Sequence, residues 1–267
     1  MKTAMAAFLL ATAATPALAL DPPAKVLEGT AARAGLIPIA VDARGGRIVA
    51  TLPAPDAEGV SGRFIYTAAL ETGLGSPALG LDYALNSGSR LLVFRRLGRK
   101  VVAEIENPRF RAAGGTAAEQ AGVRRSFATS TIWIGDVLAE TADGRVLVDL
   151  ASFVTRDDLG IARALKEQEG ADYRLVPELS VADPDAARAF PRNVELAARL
   201  TFTTARAGPE VENIAPVSGN VTFTVRHSLI ALPEPGYQAR RFDPRAGSFG
   251  SQVVDFNAPL GGQVVYE

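Results

Sequence analysis

The sequence predicts a mainly β fold: an antiparallel sandwich or strongly curved sheet built of hairpins, with two short helices. Three observations lead there. Short apolar runs recur along the chain and are separated by glycine-bearing turns. Several of these pairs are too closely spaced for parallel crossovers, so the sheet is antiparallel. Helical periodicity is confined to two stretches, too few for alternating β-α units.

The elements follow in order. Leu36 to Val41 and Arg47 to Leu52 flank Asp42-Ala43-Arg44-Gly45-Gly46, a hairpin with glycine where positive φ is needed. Gly62 to Leu70 is a third strand, with Phe64 and Tyr66 on one face. Leu91 to Leu97 and Val101 to Glu106 pair through Gly98-Arg99-Lys100. Ile132 to Glu140 and Arg145 to Leu150 pair through Ala142-Asp143-Gly144, where Asp-Gly is a strong hairpin signal. Val194 to Thr204 and Val221 to Leu232 are long strands separated by turn signals at Gly208-Pro209 and Ser218-Gly219-Asn220. The helices are Ala117 to Phe127, after the breaker pair Gly114-Gly115, and Asp157 to Gln168. In the second, Asp157 or Asp158 can cap the start, Leu159, Ala162 and Leu165 share a face, and Gly170 marks the stop.

The N-terminus reads as an export signal over residues 1–19. Lys2 precedes an apolar stretch from Ala4 to Ala14, Pro16 breaks it, and Ala17-Leu18-Ala19 offers a small-x-small cleavage site. The apolar stretch is shorter than the roughly 20 residues a spanning helix requires, so no transmembrane segment is expected after cleavage. Residues 20–32 read as a flexible leader and 33–267 as one β-rich domain. The expected location is periplasmic or extracellular. There is no cysteine, so stability after export must come from packing without disulfides. A formal charge of −1, with basic pairs spread along the chain, argues against nucleic acid as a partner.

Signals for chemistry are sparse. His227 is the one histidine, so an H-E-x-x-H zinc motif cannot be written in this chain, and there is no cysteine to serve as a ligand instead. In Val225-Arg226-His227-Ser228-Leu229, strand alternation puts His227 on the Val225 and Leu229 face, as a structural histidine. No G-x-S-x-G elbow accompanies it. Asp157-Asp158 are adjacent carboxylates explained by helix capping, and Asp243 and Asp255 lie in the tail. Gly73-Leu74-Gly75-Ser76-Pro77 lacks the ending of a phosphate loop, and Trp133 reads as core or sheet edge. No catalytic or metal-binding residue is assigned.

Several segments carry a likeness. They are Gly35-Leu36-Ile37-Pro38-Ile39, Gly73-Leu74-Gly75-Ser76 through Gly80-Leu81-Asp82, the Arg90 to Arg111 hairpin, Arg145-Val146-Leu147-Val148-Asp149 with the helix after it, and Ala189-Phe190-Pro191-Arg192-Asn193. The most specific is the tail from Gly236 to Phe249. In this order, over roughly residues 33–260, the chain resembles the N-terminal domain, of uncharacterised function, of large secreted bacterial zinc-dependent metalloproteases with a metzincin-type catalytic half. The resemblance implies a catalytic half as partner, in cis or in trans, and zinc held there rather than in this chain. The sequence reaches Glu267 without that half. The expectation is therefore either a truncated or fragmentary product or a protease supplied by a separate chain.

Within the tail, Arg240, Arg241, Phe242, Asp243 and Arg245 form a candidate cluster. It reads either as a salt-bridged turn locking the last strands or as an interface with the catalytic half. Two other functions compete with a protease N-terminal domain: a stand-alone periplasmic binding or scaffold module, and a hydrolase using paired carboxylates.

Overall fold

The computed structural model describes residues 19–266, apart from 239, 241 and 248. The export signal expected over 1–19 lies outside the described residues, except Ala19. The elements are α1 (Pro23–Val26), β1 (Ala31–Arg33), β2 (Ile39–Asp42), β3 (Arg47–Leu52), β4 (Val60–Leu70), β5 (Arg90–Leu97), β6 (Lys100–Glu106) and β7 (Phe110–Arg111). They continue with α2 (Ala117–Ser126), β8 (Ser130–Glu140), β9 (Val146–Asp149), α3 (Ala151–Val154), α4 (Ile161–Glu169), β10 (Arg174–Leu175), β11 (Val181–Ala189) and β12 (Asn193–Thr203). Last come α5 (Pro209–Ile214), β13 (Asn220–Ile230), β14 (Gln252–Asp255) and β15 (Val264–Tyr266). The fold is mainly antiparallel β, as the sequence predicts, with five short helices among the described residues rather than two.

One 12-stranded sheet runs β1-β2-β3-β9-β8-β6-β5-β4-β13-β12-β10, with β11 also paired to β12, and it does not close. The three predicted hairpins are β2–β3, β5–β6 and β8–β9. The sheet curls until its ends meet without forming a ladder. Near one end, β2 and β3 touch β11, and Leu36 N–H donates to the Phe190 carbonyl at 2.7 Å. Arg33 reaches over to the Pro184 and Ala187 carbonyls. Gly35 makes this approach possible. A Cβ there would stand 2.7 Å from the Ala189 backbone carbonyl carbon.

The interior is filled by side chains from the inward face of nearly every strand, including Ile39, Leu52, Phe64, Leu92, Phe94, Val194 and Phe223. It is also filled by a plug. Helix α3 touches β3 and β8 on one side of the sheet order and β11 and β12 towards the other, and it buries Phe153 and Val154 completely. Four residues are enough because α3 is held by its surroundings rather than by intrinsic helix stability. Helix α4 follows with Ile161 and Leu165 buried, and Gly170 closes it in the left-handed conformation expected of its stop signal.

The leader is structured, contrary to the flexible segment expected. Val26 of α1 is buried and packs, with Leu27, on Ala40, Val49, Ala139 and Leu147 of the sheet's outer face. These residues face outward because strand alternation gives β2, β3 and β9 a second apolar face there. β8 reaches this outer face through a bulge between Val137 and Ala139. Before the bulge its inward residues include Trp133 and Val137, and after it Ala139 points out under α1. Among the described residues, no helix is long and apolar enough to cross a membrane.

Trp133 lies flat over Gly135, two residues along the same strand face, where an added Cβ would stand 2.2 Å from the indole. Replacing Gly135 by Ala should displace the ring and lower stability by about 1–3 kcal/mol, the usual cost of overpacking. Trp133 is the single tryptophan, so its emission reports directly. Unchanged emission and an unchanged urea midpoint would refute this packing.

Candidate functional site

Two regions gather polar or aromatic groups beyond what the core needs. The first is inside the curl. Tyr66 on β4 and Arg90 on β5 are paired across the ladder, and His227 lies on β13, the other neighbour of β4. The Arg90 guanidinium sits 5.1 Å from the Tyr66 ring centre. Tyr66 Oη and His227 Nδ1 are 2.7 Å apart, a bond that either tautomer of the ring satisfies. The loop between α3 and α4 supplies the rest. Arg156 Nη2 donates to Tyr66 Oη at 3.4 Å, and Arg156 also reaches the Phe153 and Ile132 carbonyls. The Asp158 carboxylate pairs with both Arg90 and Arg156, the latter at 3.2 Å, and its side chain is only 3% exposed.

His227 is fully buried, more deeply than a strand face alone requires. Burial pulls its pKa down to about 4, opposed by the Asp158 charge and the Val154 carbonyl. Burial likewise pushes the Tyr66 phenol well above its ordinary value, reinforced by Asp158. Both groups are therefore neutral around pH 7. His227 has no exposed surface, and the hydroxyl bonded to it is a phenol held in an ion-paired network, so the geometry is structural rather than that of a nucleophile and base. Asp157 and Asp158, adjacent in sequence, diverge. Helix α4 starts at Ile161 with Gly160 as its N-cap, later than the sequence predicts, and Asp157 accepts the Ile161 and Ala162 N–H groups at 2.7 and 3.0 Å from outside the first turn, while Asp158 faces the two arginines. They form no acid–base pair. Among the described residues, no three His, Cys, Asp or Glu side chains gather as a metal-binding group.

The second region is on the outer face of β4, β5 and β6, where the chain leaves β6 through β7 and α2. Thr116 and Glu119 form a capping box at the start of α2: Glu119 accepts the Thr116 N–H at 2.7 Å, and Thr116 Oγ1 accepts the Glu119 N–H at 3.3 Å. The T-x-x-E signal is present in the sequence and could have placed this helix start. Phe110 and Phe127 stack at 3.8 Å between ring centres, and Phe256 from the tail stacks on Phe127 at 5.7 Å.

The tail is fastened here. β14 pairs with β15 and lies parallel to β7 in a separate three-stranded sheet. The nearly buried Asp255 accepts the Ala113 and Asn257 N–H groups at 3.0 and 3.1 Å and faces Arg111 at 3.5 Å. Burial favours the neutral form of Asp255, but these bonds and Arg111 outweigh it and hold the carboxyl below its ordinary range. Between α2 and the sheet lies a cleft of about 720 Å³, bordered by Phe110, Phe127, Leu91, Arg63, Arg95 and Glu106 among others.

The predicted tail cluster falls beyond this anchor. Asp243 and Arg245 pair with each other as a fork, at 2.6–3.2 Å, around a short 3₁₀ turn, with Arg245 exposed and Asp243 half-buried. Phe242 packs against Gly250, and Arg240 is exposed. Arg241 lies outside the described residues. The tail residues that sequence reasoning missed as anchors are Asp255 and Phe256, whose partners stand more than 110 residues earlier.

Residues 85–263 match the family described as DUF5117, a domain of unknown function. No curated protein matches the chain, and no solved structure does.

Two predictions come from the buried network. Replacing Asp158 by Asn leaves two guanidinium groups without their shared counter-charge and should cost about 3–5 kcal/mol in urea unfolding. A loss below about 1 kcal/mol would show the network to be dispensable.

The second concerns pH. The folded His227 has a pKa below that of the unfolded chain, so the unfolded state takes up a proton first. Its contribution is fully present above about pH 6.5 and is lost as pH falls towards about 4, by roughly 3 kcal/mol. The stability difference between the native chain and His227→Gln should thus change across that window and be flat above it. Parallel pH profiles would contradict the assignment.

Proposed function

We propose that this chain, which belongs to the DUF5117 family, is the non-catalytic N-terminal domain of a secreted bacterial zinc-dependent metalloprotease. In this reading it supports folding, shielding or presentation of a catalytic half joined in cis or supplied in trans. The observation that carries the reading is the ordered run of segments from Gly35 to the Gly236–Phe249 tail that resembles that N-terminal domain. The catalytic half would hold the zinc and the water-activating residues. Export follows from the signal-like residues 1–19.

The surface of the tail supports an interface. Tyr237, Phe249 and Leu260 are 69%, 104% and 93% exposed, and Phe256 and Val264 are about half exposed. Single exposed apolar residues are ordinary, but five within thirty residues beside arginines have the composition of a docking surface. The cleft under α2 favours a second reading, a stand-alone periplasmic binding or scaffold module, because a cleft of that size can bind a ligand without any protease.

Reading the coding DNA beyond the Glu267 codon and weighing the secreted product by mass spectrometry separates the two. An open frame leading to His-Glu-x-x-His is expected. In that longer protein, Phe249→Ser with Leu260→Ser should reduce protease activity while leaving the urea midpoint of this domain unchanged. A stop codon, with a stable secreted product ending at Glu267 and no co-purifying protease, would overturn the proposal and leave the binding module.

A further inference from the structure

Helix α2 has ten residues, none of them buried. Its start is held by the capping box, and Phe127, just past its end, is held between Phe110 and Phe256. Its middle spans the 720 Å³ cleft, and two smaller hollows of about 360 and 300 Å³ also border it. A helix with no buried residue gains little from tertiary packing, the main source of helix stability in proteins. Something seated beneath it would supply the missing contacts.

The walls of the cleft define what fits. One side is apolar, formed by Phe110, Phe127 and Leu91, with Val123 of α2 above. The floor carries two ion pairs from the sheet, Arg63–Glu106 at 3.4 Å and Arg95–Glu104 at 3.1 Å. The rim is basic. Arg124 is 3.9 Å from Glu58, and Arg125 has only a 3.3 Å bond to the Ala121 carbonyl, with no carboxylate partner among the described residues.

We propose that this cleft binds an extended acidic peptide segment bearing an aromatic or branched apolar side chain. The apolar side chain lies against the phenylalanine stack, and an acidic neighbour meets Arg124 and Arg125. The peptide backbone offers both N–H and C=O groups to the paired arginines and glutamates of the floor. A hydrocarbon chain laid over that floor would remove water from two ion pairs and return no hydrogen bond, which is costly. That argument selects a peptide over an alkyl carboxylate. The basic rim selects an acidic peptide over a basic one.

The test uses the full chain and fluorescence anisotropy with a fluorescein-labelled peptide, Gly-Asp-Phe-Glu-Leu-Gly. Saturable binding is expected, weakened by added salt. The exposed pair Arg124→Gln with Arg125→Gln, which keeps good helix-forming side chains, should weaken it by about tenfold or more while leaving the melting curve unchanged. The basic counterpart Gly-Lys-Phe-Lys-Leu-Gly should not bind. Absence of saturable binding, equal binding of the basic peptide, or an unaffected double variant would each overturn the proposal. Binding of decanoate in place of the peptide would also overturn it and assign the cleft to amphipathic acids. None of these outcomes depends on protease activity, so the proposal stands or falls separately from the role suggested above.

Discussion

The Asp158 carboxylate, shared by Arg90 and Arg156 inside a curled sheet, is the constraint on which the rest of the structure depends. An open sheet of this width has an interior too large for strand side chains alone, and the α3 segment fills it. A four-residue helix cannot hold a position by itself. It is pinned because Arg156, two residues beyond its end, donates to the Phe153 and Ile132 carbonyls, while Asp158 anchors the same loop to Arg90 on β5. Tyr66 and His227 complete the contact on β4 and β13. Neutral forms of both rings fit this arrangement, since burial penalises a charge on either ring, the Asp158 carboxylate opposes a phenolate and the two arginines oppose an imidazolium. The plug and the sheet are thus one packing problem, solved by a polar network rather than by more hydrocarbon.

The sheet was legible in the sequence to a considerable depth. Alternation places Phe64 and Tyr66 on one face of β4, and both are buried. The glycine turns locate all three hairpins, and Gly170 ends α4 as capping chemistry predicts, while its start falls at Ile161, where Asp157 accepts the first N–H. β11 was not legible, because Val-Ala-Asp-Pro-Asp-Ala-Ala-Arg-Ala carries residues that strands disfavour. It is tolerated as an edge strand with a register break around Pro184. The four-residue helices α1 and α3 are too short for a periodic signal, and their reason for existing lies in distant partners.

The same limit explains the two candidate sites. His227 could be placed on an apolar face by alternation, but Tyr66, Arg90, Arg156 and Asp158 meet it only through strand order and a loop crossing the interior. Periodicity reports which face a residue occupies and not what stands opposite. In the tail, the arginine-rich stretch drew the eye, yet the structural hold is Asp255 and Phe256 on the β7–α2 segment. Asp243 and Arg245 satisfy each other locally across a turn. The anchor and the exposed apolar residues therefore lie on one segment, which is tied through Phe256 and Phe127 to the roof of the cleft.

The family match begins at residue 85, and the sheet shows why that boundary does not mark a separable folding unit. β4, which precedes it, lies between β5 and β13, so both matched strands would lose a ladder partner without it. Tyr66 would go with it, leaving His227 Nδ1 without its bonded hydroxyl and Arg90 without the ring beneath it. β2 and β3 likewise precede the match, yet β3 pairs with β9 and both touch β11 where the curl comes together. A fragment from residue 85 onward would keep the cleft-lining strands β5 and β6, α2 and the tail, but it would expose the unpaired edges of β5, β9 and β13. The residues before 85 are thus part of the physical reason that the matched ones fold.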